Sequence, residues 1–199
     1  MRAFSVIPVL VAAACCSRGA EQPAPPDRGM PAAAAAAVPI ENFARVDEGL
    51  YRGAQPDAAG FRALRELGVK TVVNLRYLHT DSDDPATDVG ASGAEGTAPE
   101  GLTLVEIPLH ALLDSDPPTD EDLKAFFDVV LDPARRPVYV HCAHGKDRTG
   151  TMCAVYRMEI QGWTPERAFE EMQQFGFHDM YVDLEKYVKS YVPRGFGKR

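Results

Sequence analysis

Apolar positions fall into two kinds of pattern along this chain. Residues 69–75 (VKTVVNL), 102–108 (LTLVEIP) and 137–141 (PVYVH) are compact runs rich in β-branched side chains, which predicts buried strands. Between and after them, apolar residues recur at helical spacing. Phe61, Leu64 and Leu67 follow Asp57 as a cap and stop at Gly68. Leu123, Phe126, Phe127, Val130 and Leu131 follow the cap Thr119, with Asp120, Glu121 and Asp122 in the first turn, where the helix dipole favours them. Met152, Val155, Tyr156 and Ile160 form a stripe ending at Gly162, and Ala168, Met172 and Phe175 follow Thr164-Pro165. A last helix is expected from about His178 to Tyr191, with Leu184, Tyr187 and Tyr191 inward. Near the start, Phe43, Val46, Leu50 and Tyr51 flank Glu48-Gly49 as a short strand pair. Strands alternating with helices predict an α/β fold, a small, mostly parallel central sheet flanked by helices.

Two stretches stand outside this pattern. Residues 1–15 carry a positive Met1-Arg2, an apolar segment over 3–14 and Cys15, as a secretory signal peptide does; the apolar segment is too short to span a bilayer. Processing takes one of two forms. Cys15 is lipidated, which would tether the protein to a membrane, or cleavage occurs at a small-residue site such as that ending at Ala14. Either way export is expected, to the periplasm or as a lipoprotein facing it. Ala12 stands where a larger aliphatic residue usually precedes a lipidated cysteine. Residues 16–39 are rich in Pro and Ala and read as a linker, leaving 40–199 as the folded domain. Residues 81–100 form an acidic, Gly-rich insertion, long for a compact domain, which is either disordered or functional; the composition favours disorder.

The formal charge of -8 argues against nucleic acid as a partner, but not against an anionic small site. Of four cysteines, Cys15 and Cys16 lie in the signal region. Cys142 and Cys153 are too far apart along a strand-loop-helix path to bridge, so the domain is expected to hold two free thiols, Cys153 in the core. Cys142 stands after a buried strand and is separated by five residues from Arg148, in HCAHGKDRTG. Cleaving a phosphate ester without a metal needs an ionised nucleophile, donors around the phosphate and a proton for the leaving oxygen. A thiol facing a helix N-terminus and a cation ionises far below its free value of about 8.5. Backbone N–H groups of Ala143, His144, Gly145, Lys146 and Asp147 can curl around an oxyanion, Gly145 permits the curvature, and the Thr149 hydroxyl can donate to the thiolate. Arg148 can hold two phosphate oxygens at once. No metal or other cofactor is called for.

These residues resemble the cysteine-dependent protein tyrosine phosphatase superfamily, whose loop is His-Cys-x-x-Gly-x-x-Arg-Ser/Thr-Gly. Residues 50–56 (LYRGAQP) and 155–177 are similar to the atypical dual-specificity phosphatases, including exported bacterial members. The resemblance implies a dual-specificity-phosphatase-like fold and hydrolysis of phosphotyrosine, with phosphoserine and phosphothreonine as further substrates, through a phosphocysteine. It also implies a general-acid aspartate between the strand ending near Pro108 and the next helix; Asp114 and Asp116 both lie there, and Asp114 is preferred. His141 either lowers the thiol pKa or orients loop carbonyls. His144 and Lys146 add positive character at the rim and raise a second substrate class, inositol polyphosphates or phosphoinositides. Arg52 and Arg76 are either substrate contacts or surface ion pairs. A phosphate-binding domain without turnover is the further alternative.

Overall fold

The computed structural model describes residues 38–77, 80–81, 101–109 and 116–198. The expected strand pair is present: β1 (Ala44–Asp47) and β2 (Leu50–Gly53) are antiparallel across the Glu48-Gly49 turn. Helix α1 (Ala58–Glu66) follows, with the Asp57 carboxylate accepting the Gly60 N–H at 2.8 Å. Next come β3 (Thr71–Asn74), β4 (Thr103–Glu106) and α2 (Asp120–Val130), the last opened by a reciprocal capping box between Thr119 and Asp122. The chain ends with β5 (Val138–His141), α3 (Asp147–Gln161), α4 (Pro165–Gln174) and α5 (Val182–Lys189). α5 is shorter than its apolar spacing predicted. A turn at Asp179-Met180 delays its start, and Tyr191 packs into the core from beyond its end.

The sheet order is β1-β2-β5-β3-β4, parallel except for the β1–β2 pair. Alternation along the strands feeds two cores. Val73, Val138 and Val140 face the helices α2 to α5, while Val72 and Tyr139 face α1, Val38 and Ile40. Helix α3 is buried on every side from Thr149 to Met158, so it carries no amphipathic stripe and forms the centre of its layer. Each fully buried aliphatic in these cores contributes about 1.5–3 kcal/mol.

One consequence of the register positions everything that follows. Gly53 and Asn74 both pair with His141, and Asn74 pairs with Glu106. The last residues of the four parallel strands therefore lie at one level. Their shared C-terminal edge is where open α/β sheets bind ligands.

Candidate active site

β5 runs without a break into Cys142 and a tight loop, and α3 begins at Asp147. Gly145 turns the loop with φ +68, and a Cβ there would lie 2.4 Å from the Gly53 carbonyl carbon, so both the backbone angle and the contact with β2 demand glycine.

Four consecutive loop carbonyls lie against polar groups from outside the loop. Nδ1 of His141 lies 3.3 Å from the Cys142 oxygen. The Gln55 N–H donates to Ala143 at 3.2 Å, the Asn42 side-chain amide to His144 at 2.8 Å, and Nη2 of Arg52 to Gly145 at 2.7 Å. A trans peptide is planar, with its C=O and N–H pointing in opposite directions. Fixing these carbonyls outward turns the N–H groups of Ala143, His144, Gly145 and Lys146 the other way, into the concave side of the loop. Lys146, at the N-cap of α3, makes no side-chain cap, so the first-turn N–H groups have no acceptor from it. The arrangement has the shape of a nest able to receive an oxyanion, with Cys142 at its base.

His141 is fully buried, and its Nε2 lies 2.8 Å from Oδ2 of Asp81, also fully buried. Asp81 is thus not part of a solvated acidic loop, as its sequence neighbours suggested; the imidazole draws it under the sheet edge. Its other oxygen accepts from Gln55 Nε2 at 2.9 Å, and its N–H donates to Glu106 Oε1 at 3.1 Å. Arg76 donates to Gln55 Oε1 at 3.0 Å and so ties into this network, with no ion pair among the described residues. Burial, with the neighbouring Asp81 charge adding to it, raises the Glu106 carboxyl above its usual range against opposing hydrogen bonds.

The structure brings Cys142, Ala143, His144, Gly145, Lys146, Asp147, Arg148 and Thr149 together around the loop. Arg148 reaches back to donate to the Leu75 oxygen at 3.4 Å. The Thr149 hydroxyl is buried without a hydrogen-bond partner, so it makes no bond to the sulfur of Cys142 here. His144 is exposed at the rim. Lys146 lies 3.6 Å from Glu41, and the Asp147 carboxylate accepts the His178 N–H at 2.9 Å and contacts its ring. The rim is therefore less cationic than its sequence implied. Asp114 lies outside the described residues; Asp116 is exposed. Cys142 and Cys153 are both free, and burial pushes the Cys153 thiol up to about 11. Arg52 departs most from expectation, being neither at the surface nor ion-paired among the described residues but 1% exposed beneath the loop.

Asn42, Gln55 and Asp81 were not foreseen as site residues. Gln55 stands within the LYRGAQP stretch, but nothing local assigns it, Asn42 or Asp81 to the loop, since each acts on it across many positions. Arg52 had a usable signal: it shares a strand face with the apolar Leu50 in a strand whose neighbour is the cysteine strand.

Against known proteins, residues 37–190 match the family described as DSP-PTPase phosphatase fused to NAD+ kinase. Dual specificity protein phosphatase TpbA of Pseudomonas aeruginosa (strain UCBPP-PA14) is 38% identical over 161 residues, which cover 80% of this chain and 66% of that protein. The chain thus spans just under two thirds of that relative's length. A crystal structure of the P. aeruginosa protein, as a cysteine-to-serine variant in complex with phosphotyrosine, superposes with a TM-score of 0.59 at 32% identity, covering 78% of this chain and 86% of that one. Inositol diphosphatase DSP2 of Oryza sativa subsp. japonica is 30% identical over 153 residues, 72% of this chain and 66% of that protein.

Proposed function

Since the chain belongs to the atypical dual-specificity phosphatases of the cysteine-dependent protein tyrosine phosphatase superfamily, we propose that it hydrolyses phosphate monoesters, phosphotyrosine first, through a phosphocysteine. The observation that carries this is the set of four inward-turned N–H groups closing on Cys142, with Arg148 beside them. In this reading the sulfur of Cys142 attacks phosphorus as the ester P–O bond breaks. The nest and Arg148 hold the three equatorial oxygens. The departing oxygen takes a proton from Asp114, or from Asp116. A water then attacks phosphorus, the P–S bond breaks, and inorganic phosphate leaves as the thiolate is regenerated. The chain's own cation and backbone dipoles supply the charge stabilisation, so turnover is expected to survive EDTA.

The phosphotyrosine complex of the related P. aeruginosa protein supports that substrate class; phosphoserine and phosphothreonine would be secondary. An inositol polyphosphate or phosphoinositide substrate is favoured by one observation, the exposed His144 beside Lys146 at the rim, and by the rice relative. Glu41 and Asp147 lie against the same rim, which weighs toward a singly phosphorylated ester. The protein acts outside the cytoplasm in this proposal, on the strength of residues 1–15, with Cys15 as the membrane tether. Hydrolysis of an aryl phosphate by wild type but not by Cys142→Ser, with EDTA present, tests the chemistry; no activity in reduced protein overturns it. Phosphopeptides assayed beside inositol hexakisphosphate and phosphoinositides separate the two substrate classes. Fractionation of cells expressing the full chain and Cys15→Ala tests the tether, which is overturned if the two distribute alike.

A further inference from the structure

Arg52 is among the largest fully buried side chains of the described residues. Its Nη2 is pinned to the Gly145 oxygen at 2.7 Å, and its guanidinium carbon sits 3.8 Å above the Phe175 ring centre. Nε and Nη1 are buried and have no hydrogen-bond partner among the described residues, and no carboxylate there pairs with it. A guanidinium is always protonated, and a buried charge without a counter-ion is costly. A strut for one carbonyl does not need that charge. An apolar residue could fill the space, and a neutral amide could hold the carbonyl.

We propose that Arg52 is a positioning residue and the buried counter-charge of the phosphate loop, balancing from inside the fold the anion that the loop receives from outside. The inference rests on the phosphatase reading of that loop. By holding the Gly145 carbonyl, Arg52 aims the Lys146 N–H into the nest. By remaining without a carboxylate, it leaves its field unspent until a thiolate or oxyanion occupies the loop. That field reaches the residues on both sides of Cys142: it opposes the burial-driven rise of Tyr139, three positions before it, and of Cys153 in α3. Arginine suits the role better than lysine. Its planar group stacks flat on Phe175 while one edge donates, and it sheds water more readily than an ammonium. Arg148 and Arg52 would then bracket the nest, one facing substrate and one behind the backbone.

The test compares wild type, Arg52→Lys and Arg52→Met, each checked for folding by circular dichroism and thermal unfolding. Two probes report the field. One is the inhibition constant of orthovanadate. The other is the ratio of Cys142 alkylation rates by anionic iodoacetate and neutral iodoacetamide, which a loosened loop alone would leave unchanged. Arg52→Met is expected to lower both vanadate affinity and the alkylation ratio by about tenfold, the size of one mid-range charge interaction in a protein interior. Arg52→Lys is expected to keep most of the ratio but to lose several-fold in vanadate affinity, because the fork to Gly145 is gone. A folded Arg52→Met that matches wild type within about twofold in both probes overturns the proposal. Should Arg52→Met not fold, Phe175→Ala is used instead. Opening that face to water screens the charge, so both readouts are expected to fall several-fold, and no change in either overturns the proposal. If wild type itself neither binds vanadate nor hydrolyses an aryl phosphate, it is the phosphatase reading that has failed.

Discussion

Replacing Asp81 tests whether the network behind the loop holds the loop in shape. Asp81 and His141 are both fully buried, 2.8 Å apart, and the other carboxylate oxygen takes an amide proton from Gln55 at 2.9 Å. Asp81→Ala removes both acceptors at once, leaving a buried imidazole nitrogen and the half-buried Gln55 amide without them. Each buried donor left unpaired costs about 1–3 kcal/mol. With some relaxation, a loss of about 3 kcal/mol is expected for Asp81→Ala, and about half that for Asp81→Asn, which retains one acceptor. The assay is urea denaturation of wild type, the two Asp81 variants, His141→Ala and the Asp81→Ala/His141→Ala double variant. Residues in one hydrogen-bond network couple, so the cycle should show an interaction of at least about 1 kcal/mol. Because His141 also contacts the Cys142 oxygen, turnover should fall in both single variants even at temperatures where they are folded. An Asp81→Ala protein within about 0.5 kcal/mol of wild type, or a cycle that closes to zero, would refute the account.

Gly145→Ala sets a Cβ 2.4 Å from the Gly53 carbonyl carbon at φ +68, so it should cost about 1–3 kcal/mol and abolish vanadate binding, read by thermal shift with and without vanadate. Glu106 has a raised folded pKa, so the fold favours its neutral form; that contribution is fully present below the unfolded value and lost as pH rises through the folded one. Glu106→Gln should therefore gain stability relative to wild type as pH rises through the range above 4.5, followed by urea midpoints, and a pH-independent difference would count against the assignment. Asp114→Asn should lower turnover by about 10²–10⁴-fold with little change in phosphate affinity, whereas a loss seen only in Asp116→Asn would transfer the acid role to that residue. With its thiol pushed up to about 11, Cys153 should resist iodoacetamide at pH 7.5 while Cys142 reacts, as peptide mass mapping would show; labelling at both sites in folded protein would contradict the burial.

The elements of this fold were legible because each is written locally. Compact apolar runs rich in β-branched residues marked β3, β4 and β5, and caps at Asp57, Thr119 and Thr164 marked helix starts, each of which accepts a backbone N–H as expected. The loop was legible for the same reason: nucleophile, glycine, arginine and helix start occupy ten consecutive residues. What lay beyond reach was whatever depends on register. The four carbonyl clamps come from separations that grow from the adjacent His141 to Arg52, 93 positions from its partner, and Asn42, 102 positions away. Asn42 bonds the loop from a left-handed backbone, φ 55, that nothing in its neighbourhood announces. The acidic run beginning at Asp81 shows the limit most sharply. By composition it reads as solvated, yet its first carboxylate is buried against His141, because a buried imidazole at the end of a central strand needs an acceptor and the chain passes there. Polar residues next to a buried histidine or arginine should accordingly be judged by the unpaired groups that the sheet register brings beside them. By that criterion Asp81 falls into place once His141, Asn74 and Glu106 are aligned, and Arg52 stands out as a buried charge with no carboxylate partner among the described residues.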